Sequence, residues 1–295
     1  MLKRALVFST PLSLSLKNEQ LVIRAKEIPD MTKTVPIEDI GMILIENQMT
    51  AITIPLLNKL SDNNVAVVFC NQKGMPNSML LNLDSNCAQG EVLRNQLAVS
   101  EPLKKQLWKQ IIEAKIKNQS LLLSKLGKDG DKLKPYYCNV KSGDNDNREG
   151  AAARTYWSEL FGKDFIRERN AEGINVLLNY GYIVLRAAVS RALVSSGLFP
   201  SIGIFHRGRS NAFPLSDDMM EPYRPFVDEI VYDLVQKGEM GLTKETKAAL
   251  IRILYCDTYF PKVTRPLGVG LSLSMASLVK CYAKDSSKLI FPVIK

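Results

Sequence analysis

FPSIGIFHRGRSNAFPLSDDMMEPYRPFV, residues 199–227, holds the only histidine of the 295-residue chain, His206. Arg207 and Arg209 follow it, and then three carboxylates, Asp217, Asp218 and Glu221. From Pro214 onward the apolar spacing of Leu215, Met219 and Met220 predicts a helix, so the pairs Asp217/Glu221 and Asp218/Glu221 share a face. Carboxylates on one face repel unless a cation or basic groups offset them. A histidine approaching that face completes a mixed nitrogen and oxygen donor set, which suits Mg²⁺ or Mn²⁺ better than Zn²⁺. The alternative is a solvated acidic first turn, which complements a helix N-terminus.

Upstream, 170–198 predicts a long apolar helix closed near Gly197, with Asn175 and Asn179 bracing a neighbouring segment. Glu149 opens another helix, before the small residues Ala151–153 that let a neighbour pack closely. Arg154 and Tyr156 are candidates to lie near its carboxylate, and a dipole-satisfying cap is the plainer role for such a glutamate. Residues 127–148 read as a charged loop. Before them Ser100-Glu101-Pro102 opens a long helix with Leu103, Leu107, Ile111, Ala114 and Ile116 on its apolar face. Lys104, Lys105, Lys109, Lys115 and Lys117 are placed on its surface, either solvated or tracking phosphates.

Residues 2–10, 12–24, 41–46 and 64–70 read as strands, with a short helix at 54–60 and a turn at 71–78. Cys70 is expected in the core. Two helices at 226–240 and 243–258 and a helical pattern at 272–284 complete the chain. The fold class is α+β: a small N-terminal β-rich domain over 1–83, a hinge over 84–100, and a larger all-helical catalytic domain over 101–295.

A net charge of +9 attracts polyanions, nucleic acid first and anionic membrane second. No apolar run approaches the roughly 20 residues of a spanning helix, and the first ten residues lack the apolar core of a signal peptide. Five widely spaced cysteines without a CxxC pair point to free thiols in a reducing cytoplasm, not to a zinc ribbon or a disulfide scaffold.

With NREGAAARTYW (147–157), NVLLNYGYIVLRAAVSRAL (175–193) and FHRGRSNAFPLSDDMMEPYRP (205–225), the chain resembles the CRISPR-associated integrases of spacer acquisition. This is the Cas-one family, in its type II branch. LWKQIIEAKIKNQ (107–119) and PIEDIGMILIEN (36–47) match more loosely, and nothing after residue 260 does. The resemblance implies that Glu149, His206 and Glu221 are both the catalytic residues and the ligands of Mg²⁺ or Mn²⁺. Elsewhere in the family the third ligand is commonly aspartate, so Glu221 lengthens that arm. Asp218 matches a further acidic position. The resemblance also implies a homodimer, with dimerisation and partner contacts in the β domain, and a complex with the small ferredoxin-fold Cas-two partner. Insertion of short DNA duplexes into a repeat array by 3′-hydroxyl attack on phosphodiesters follows from it. Other type II adaptation proteins are further candidate partners; a membrane is not. Arg207, Arg209 and Arg224 are candidates to meet DNA phosphates, although Arg224 can instead pair with Glu221 or Asp228. Two other readings are a stand-alone metal-dependent nuclease and a non-catalytic DNA-binding scaffold. The scaffold must place Glu149, His206 and Glu221 among apolar helices without an ion, which is costly.

Overall fold

The computed structural model describes residues 3–25, 32–72, 74–82, 85–168 and 171–295, and divides into two compact units, Met1–Cys87 and Ala88–Lys295. In the first unit β1 (Arg4–Phe8), β2 (Leu12–Lys17), β3 (Gln20–Ala25) and β4 (Thr32–Pro36) precede β5 (Ile40–Ile45), β6 (Ala51–Ile52), α1 (Ile54–Asp62), β7 (Ala66–Cys70) and β8 (Pro76–Leu80). They form two four-stranded sheets, ordered β1-β5-β7-β8 and β4-β3-β2-β6. All six residues of β5 are buried, as a strand covered on both faces requires. Leu14, Leu21, Ile37, Ile43, Leu56 and Leu60 are central to the core.

Two readings change here. Residues 12–24 are a hairpin, not one strand: Asn18 and Glu19 both adopt positive φ, 49° and 59°, between the paired residues Lys17 and Gln20. That is the two-residue turn whose twist matches its flanking strands. The second change lies in the stretch read as a turn, where Pro76 starts β8. Pro76 pairs with Cys70 on an edge strand, a place where a missing N–H is tolerated.

The second unit contains α2 (Gln89–Leu97), α3 (Glu101–Lys125), α4 (Lys134–Tyr137), α5 (Arg148–Phe161), α6 (Ile174–Ser195), α7 (Pro214–Met220), α8 (Arg224–Gln236) and α9 (Lys244–Ile251). A hairpin of β9 (Asp257–Tyr259) and β10 (Thr264–Pro266) then leads into α10 (Leu267–Tyr282), so this unit is helical with one small sheet. α2 falls within the interval expected as a hinge. Gln96 anchors it, donating to the carbonyls of Phe199 and Ile202 and accepting from the N–H of Phe199.

α6 is apolar on nearly every side because α7, α8, α9 and α10 all pack on it. Its approach to α8 is close: a Cβ on Gly181 would stand 2.4 Å from Val227 Cγ1. As expected, Asn175 and Asn179 brace a neighbour, both accepting from Arg167. The chain's last residues also work structurally. Asn118 of α3 donates to the carbonyls of Pro222 and Pro292 and accepts from the N–H of Ile294, which ties the tail and the 221–223 turn to one helix. Among the described residues no helix is long and apolar enough to cross a membrane. The five cysteines are free thiols, Cys70 among the buried ones.

Asp228 of α8 joins three helices. It accepts a hydrogen bond from Tyr156 of α5 at 2.7 Å and another from Tyr182 of α6. Burial pushes its carboxyl up to about 6, above the ordinary 3.8, despite the two hydroxyls that favour the charged form. The folded protein therefore holds this proton more tightly than the unfolded chain does. The stability it contributes is full below about pH 4 and is lost as pH rises through about 6. In urea denaturation from pH 4 to 7, the native protein is expected to lose roughly 2–3 kcal/mol relative to Asp228→Asn. Parallel profiles for the two proteins contradict this assignment.

Candidate active site

Asp218 organises the histidine loop. Its side chain is fully buried on α7 and accepts four hydrogen bonds from three consecutive residues. Oδ2 takes the N–H groups of Ile204 (2.6 Å) and Phe205 (3.0 Å), and Oδ1 takes the N–H of His206 (3.1 Å) and its Nδ1 (2.7 Å). Three backbone donors satisfy most of the carboxylate's capacity, which lets a charge remain in the interior. The Asp218 hydrogen bond raises the pKa of His206, against burial, which lowers it. In the neutral ring the same contact places the proton on Nδ1 and leaves the lone pair on Nε2. The loop closes tightly at Gly203, where a Cβ would stand 2.7 Å from the His206 carbonyl oxygen and 2.9 Å from Pro214 Cβ.

A second cluster gathers around Lys115. Its Nζ lies 2.5 Å from Glu149 Oε1 and 2.5 Å from Glu221 Oε2. Expected on the surface of α3, Lys115 is instead only 9% exposed. It shares the helix face of Trp108, Ile111, Ile112 and Gln119, all buried, and spacings of three, four and seven residues put it there. Burial disfavours its charge, yet the two carboxylates outweigh that effect and raise its pKa.

Glu221 is 3% exposed and begins the short 3₁₀ turn Glu221–Tyr223 that follows α7. Arg224 Nε donates to its Oε1 at 2.8 Å, the first of the two pairings weighed for Arg224. Burial would raise the Glu221 pKa, but Arg224 and Lys115 hold it well below the carboxylate range. The Arg224 guanidinium in turn lies 4.5 Å from the centroid of the Tyr182 ring, whose hydroxyl binds Asp228. Glu149 is freed from capping its own helix. Asp144 accepts the N–H groups of Arg148 and Glu149, and Asn147, at φ 51°, accepts that of Gly150. The first donors of α5 are thus met by other residues.

The structure therefore brings Glu149 and Glu221 together and seats His206 on Asp218. Among the described residues no three His, Cys, Asp or Glu side chains converge as closely as a shared ion requires. Asp217 turns elsewhere, accepting from Asn211 at 2.8 Å. Tyr156 goes to Asp228 and Arg154 is exposed, so neither attends Glu149. Arg207 pairs with Glu101 at 2.6 Å, and Arg209 is exposed.

The donor set fits a hard divalent cation. Two carboxylates from separate helices already converge on one positive charge. Glu221 Oε2, though buried and close to Lys115, is outside hydrogen-bond geometry with any partner. Such an oxygen is a ready ligand for an ion.

This site lies in a chain that matches the family described as CRISPR associated protein Cas1 over residues 6–252. It is 40% identical over 256 residues to the CRISPR-associated endonuclease Cas1 of Neisseria meningitidis serogroup C, covering 85% of this chain and 83% of that protein. The chain belongs to the Cas1 family. Solved structures share its fold. A casposase bound to integration product superposes with a TM-score of 0.80 at 22% identity, covering 97% of this chain and 92% of that one. A Cas1 protein from Thermotoga maritima gives 0.75 at 18% identity, covering 95% and 97%.

With a single histidine in the chain, nitrogen-15 NMR of the imidazole reads the Asp218 contact directly. At a pH above its raised pKa, the native protein is expected to show the neutral tautomer protonated at Nδ1. Asp218→Asn is expected to mix the tautomers and to cost roughly 3 kcal/mol in stability. An unchanged imidazole spectrum in the variant contradicts the assignment.

Proposed function

We propose that the chain is a metal-dependent DNA integrase and endonuclease of CRISPR adaptation, joining short DNA duplexes to a repeat array by 3′-hydroxyl attack on phosphodiesters. The observation that carries this reading is the convergence of Glu149 and Glu221 on one cationic position, with His206 presented by Asp218 from the neighbouring loop. The Neisseria relative is named an endonuclease, and hydrolysis is the same chemistry with water in place of the 3′-hydroxyl.

Glu149, His206 and Glu221 would hold Mg²⁺ or Mn²⁺, His206 through Nε2. When bound, such an ion polarises a phosphate oxygen and lowers the pKa of the attacking hydroxyl. The chain's own residues prepare for that charge. Asp218 fixes the imidazole ring and accepts its Nδ1–H, so that the neutral ring presents Nε2. Arg224 keeps Glu221 ionised in its buried position. Lys115 offsets the repulsion between the two carboxylates and would be free to donate to phosphate if a divalent ion took its place. Arg207 and Arg209, exposed beside His206, meet flanking DNA phosphates, Arg207 by exchanging Glu101 for them.

Chains of this fold occur in a Cas6-RT-Cas1–Cas2 complex (TM-score 0.75, 18% identity, covering all of this chain and 36% of that one). By that analogy a small Cas2-type protein is a partner of this chain; DNA and a second copy of the chain are proposed beside it, with the β unit supplying protein contacts and the cytoplasm as the place of action. Other type II adaptation proteins would join the same assembly.

Strand transfer between a labelled duplex with free 3′-hydroxyls and a supercoiled plasmid tests this, in Mn²⁺, Mg²⁺ or EDTA, with and without the small partner. Joined products are expected only with metal, and Glu149→Ala or His206→Ala should reduce them by roughly 10³-fold with DNA binding retained. Full joining by either variant overturns the site. Cleavage without joining, even with the partner present, favours a stand-alone nuclease, and no metal-dependent product leaves a DNA-binding scaffold.

A further inference from the structure

Next to His206 an aromatic ring is held open to solvent. Phe205 is 48% exposed, although a phenyl ring gains by burial. Its ring lies flat on the indole of Trp108, with centroids 4.2 Å apart and planes inclined by 4°. Trp108 belongs to α3 and is 1% exposed, so it backs Phe205 rigidly and leaves the other face of the ring free. The indole N–H is buried without an acceptor, a local cost that calls for an explanation.

The stack forms one wall of a cleft of about 310 Å³, whose rim carries Lys104, Lys105, Arg207 and Glu101. Glu101 is shared between Arg207 (2.6 Å) and Lys104 (3.2 Å). Among the described residues Lys105 has no carboxylate within ion-pair distance. Three cations thus face one carboxylate around an open aromatic plate. The His206 ring stands edge-on to both members of the stack, 5.6 Å from Trp108 at 88° and 5.9 Å from Phe205 at 84°. The cleft therefore borders the candidate ligand itself.

A flat apolar face ringed by positive charge matches a nucleotide, which joins a π surface to an anion. A base inside a duplex is stacked on both faces and cannot offer one to Phe205, so the occupant must be unpaired. We propose, building on the strand-transfer reading, that Phe205 is a stacking platform for an unpaired DNA nucleotide. Its base lies on the Phe205 ring, and its phosphate is held by Lys105 and Arg207. Because any base has a π face, the platform sets the register of the strand at His206 without reading its sequence. Phe205 is thus a positioning residue.

The test uses the full-length protein in EDTA, where no strand is cut or joined. A DNA duplex with a single-stranded 3′ overhang carries 5-iododeoxyuridine at each overhang position in turn. It is irradiated with the protein, and the crosslinked peptide is mapped by mass spectrometry. Affinities for the overhang duplex and a blunt duplex are measured in parallel. A crosslink at Phe205 is expected from one overhang position. Phe205→Ala and Phe205→Leu should each weaken overhang binding by roughly five- to a hundredfold, with the blunt duplex unaffected, and Phe205→Tyr should restore it. Crosslinks confined to other peptides overturn the platform, as does overhang affinity unchanged in both the alanine and leucine variants. Equal weakening of the blunt duplex also overturns it, since that reports a general loss of DNA contact. The two readings separate cleanly. Strand transfer without the Phe205 crosslink removes the platform alone. The crosslink without any metal-dependent product removes the catalytic reading and leaves a single-strand binding site.

Discussion

A carboxylate buried at Glu221 must be compensated, and much of the second unit is arranged around that requirement. At 3% exposure its charge survives only because Lys115 and Arg224 lie against it. Each of those cations has its own support. Lys115 reaches across from α3 and draws Glu149 of α5 into the same cluster. Arg224 rests on the ring of Tyr182, whose hydroxyl meets Asp228, and Asp228 also takes the hydroxyl of Tyr156. Helices α3, α5, α6 and α8 are thereby linked through polar contacts centred on one acidic side chain. Asn118 adds a backbone constraint by holding the carbonyl of Pro222, the residue after Glu221.

The cluster balances two carboxylates against two cations. Such a site holds together without a ligand, yet it has the charge and the converging oxygens to exchange an ammonium for a divalent ion. His206 stands outside this cluster. Asp218 holds it by a contact to the ring and three to the backbone, so the loop's position does not depend on the ion. This separates two tasks, gathering negative charge and orienting a neutral nitrogen donor, that a single cluster of acids performs poorly because like charges repel.

How far this was legible in the sequence differs by residue. The order of β-rich and helical units followed from periodicity, because α6 is apolar on nearly every side and β5 is a continuous apolar run. The turn at Asn18 and Glu19 was obscured by flanking stretches that each alternate as a strand does. Among the acidic residues, helical spacing grouped Asp217 with Glu221, but α7 ends at Met220 and the tighter turn after it sends the two apart. Lys115 was assigned to the surface by residue type, although its spacing from Trp108, Ile111 and Ile112 placed it on the buried face. Asp218 had no readable role because three of its four contacts are with backbone N–H groups of 204–206, and backbone donors leave no trace in a sequence. Phe205 and Trp108 lie 97 positions apart, so their stacking required the fold.

The central claim is that one divalent ion is held by Glu149, Glu221 and the Nε2 of His206. Electron spin-echo envelope modulation of the Mn²⁺-loaded protein tests it most directly, because the chain contains one histidine and an imidazole nitrogen modulates the echo only when it is a ligand. The account predicts modulation from a single imidazole nitrogen that disappears in His206→Ala. Mn²⁺ bound with no nitrogen modulation in the native protein would contradict it.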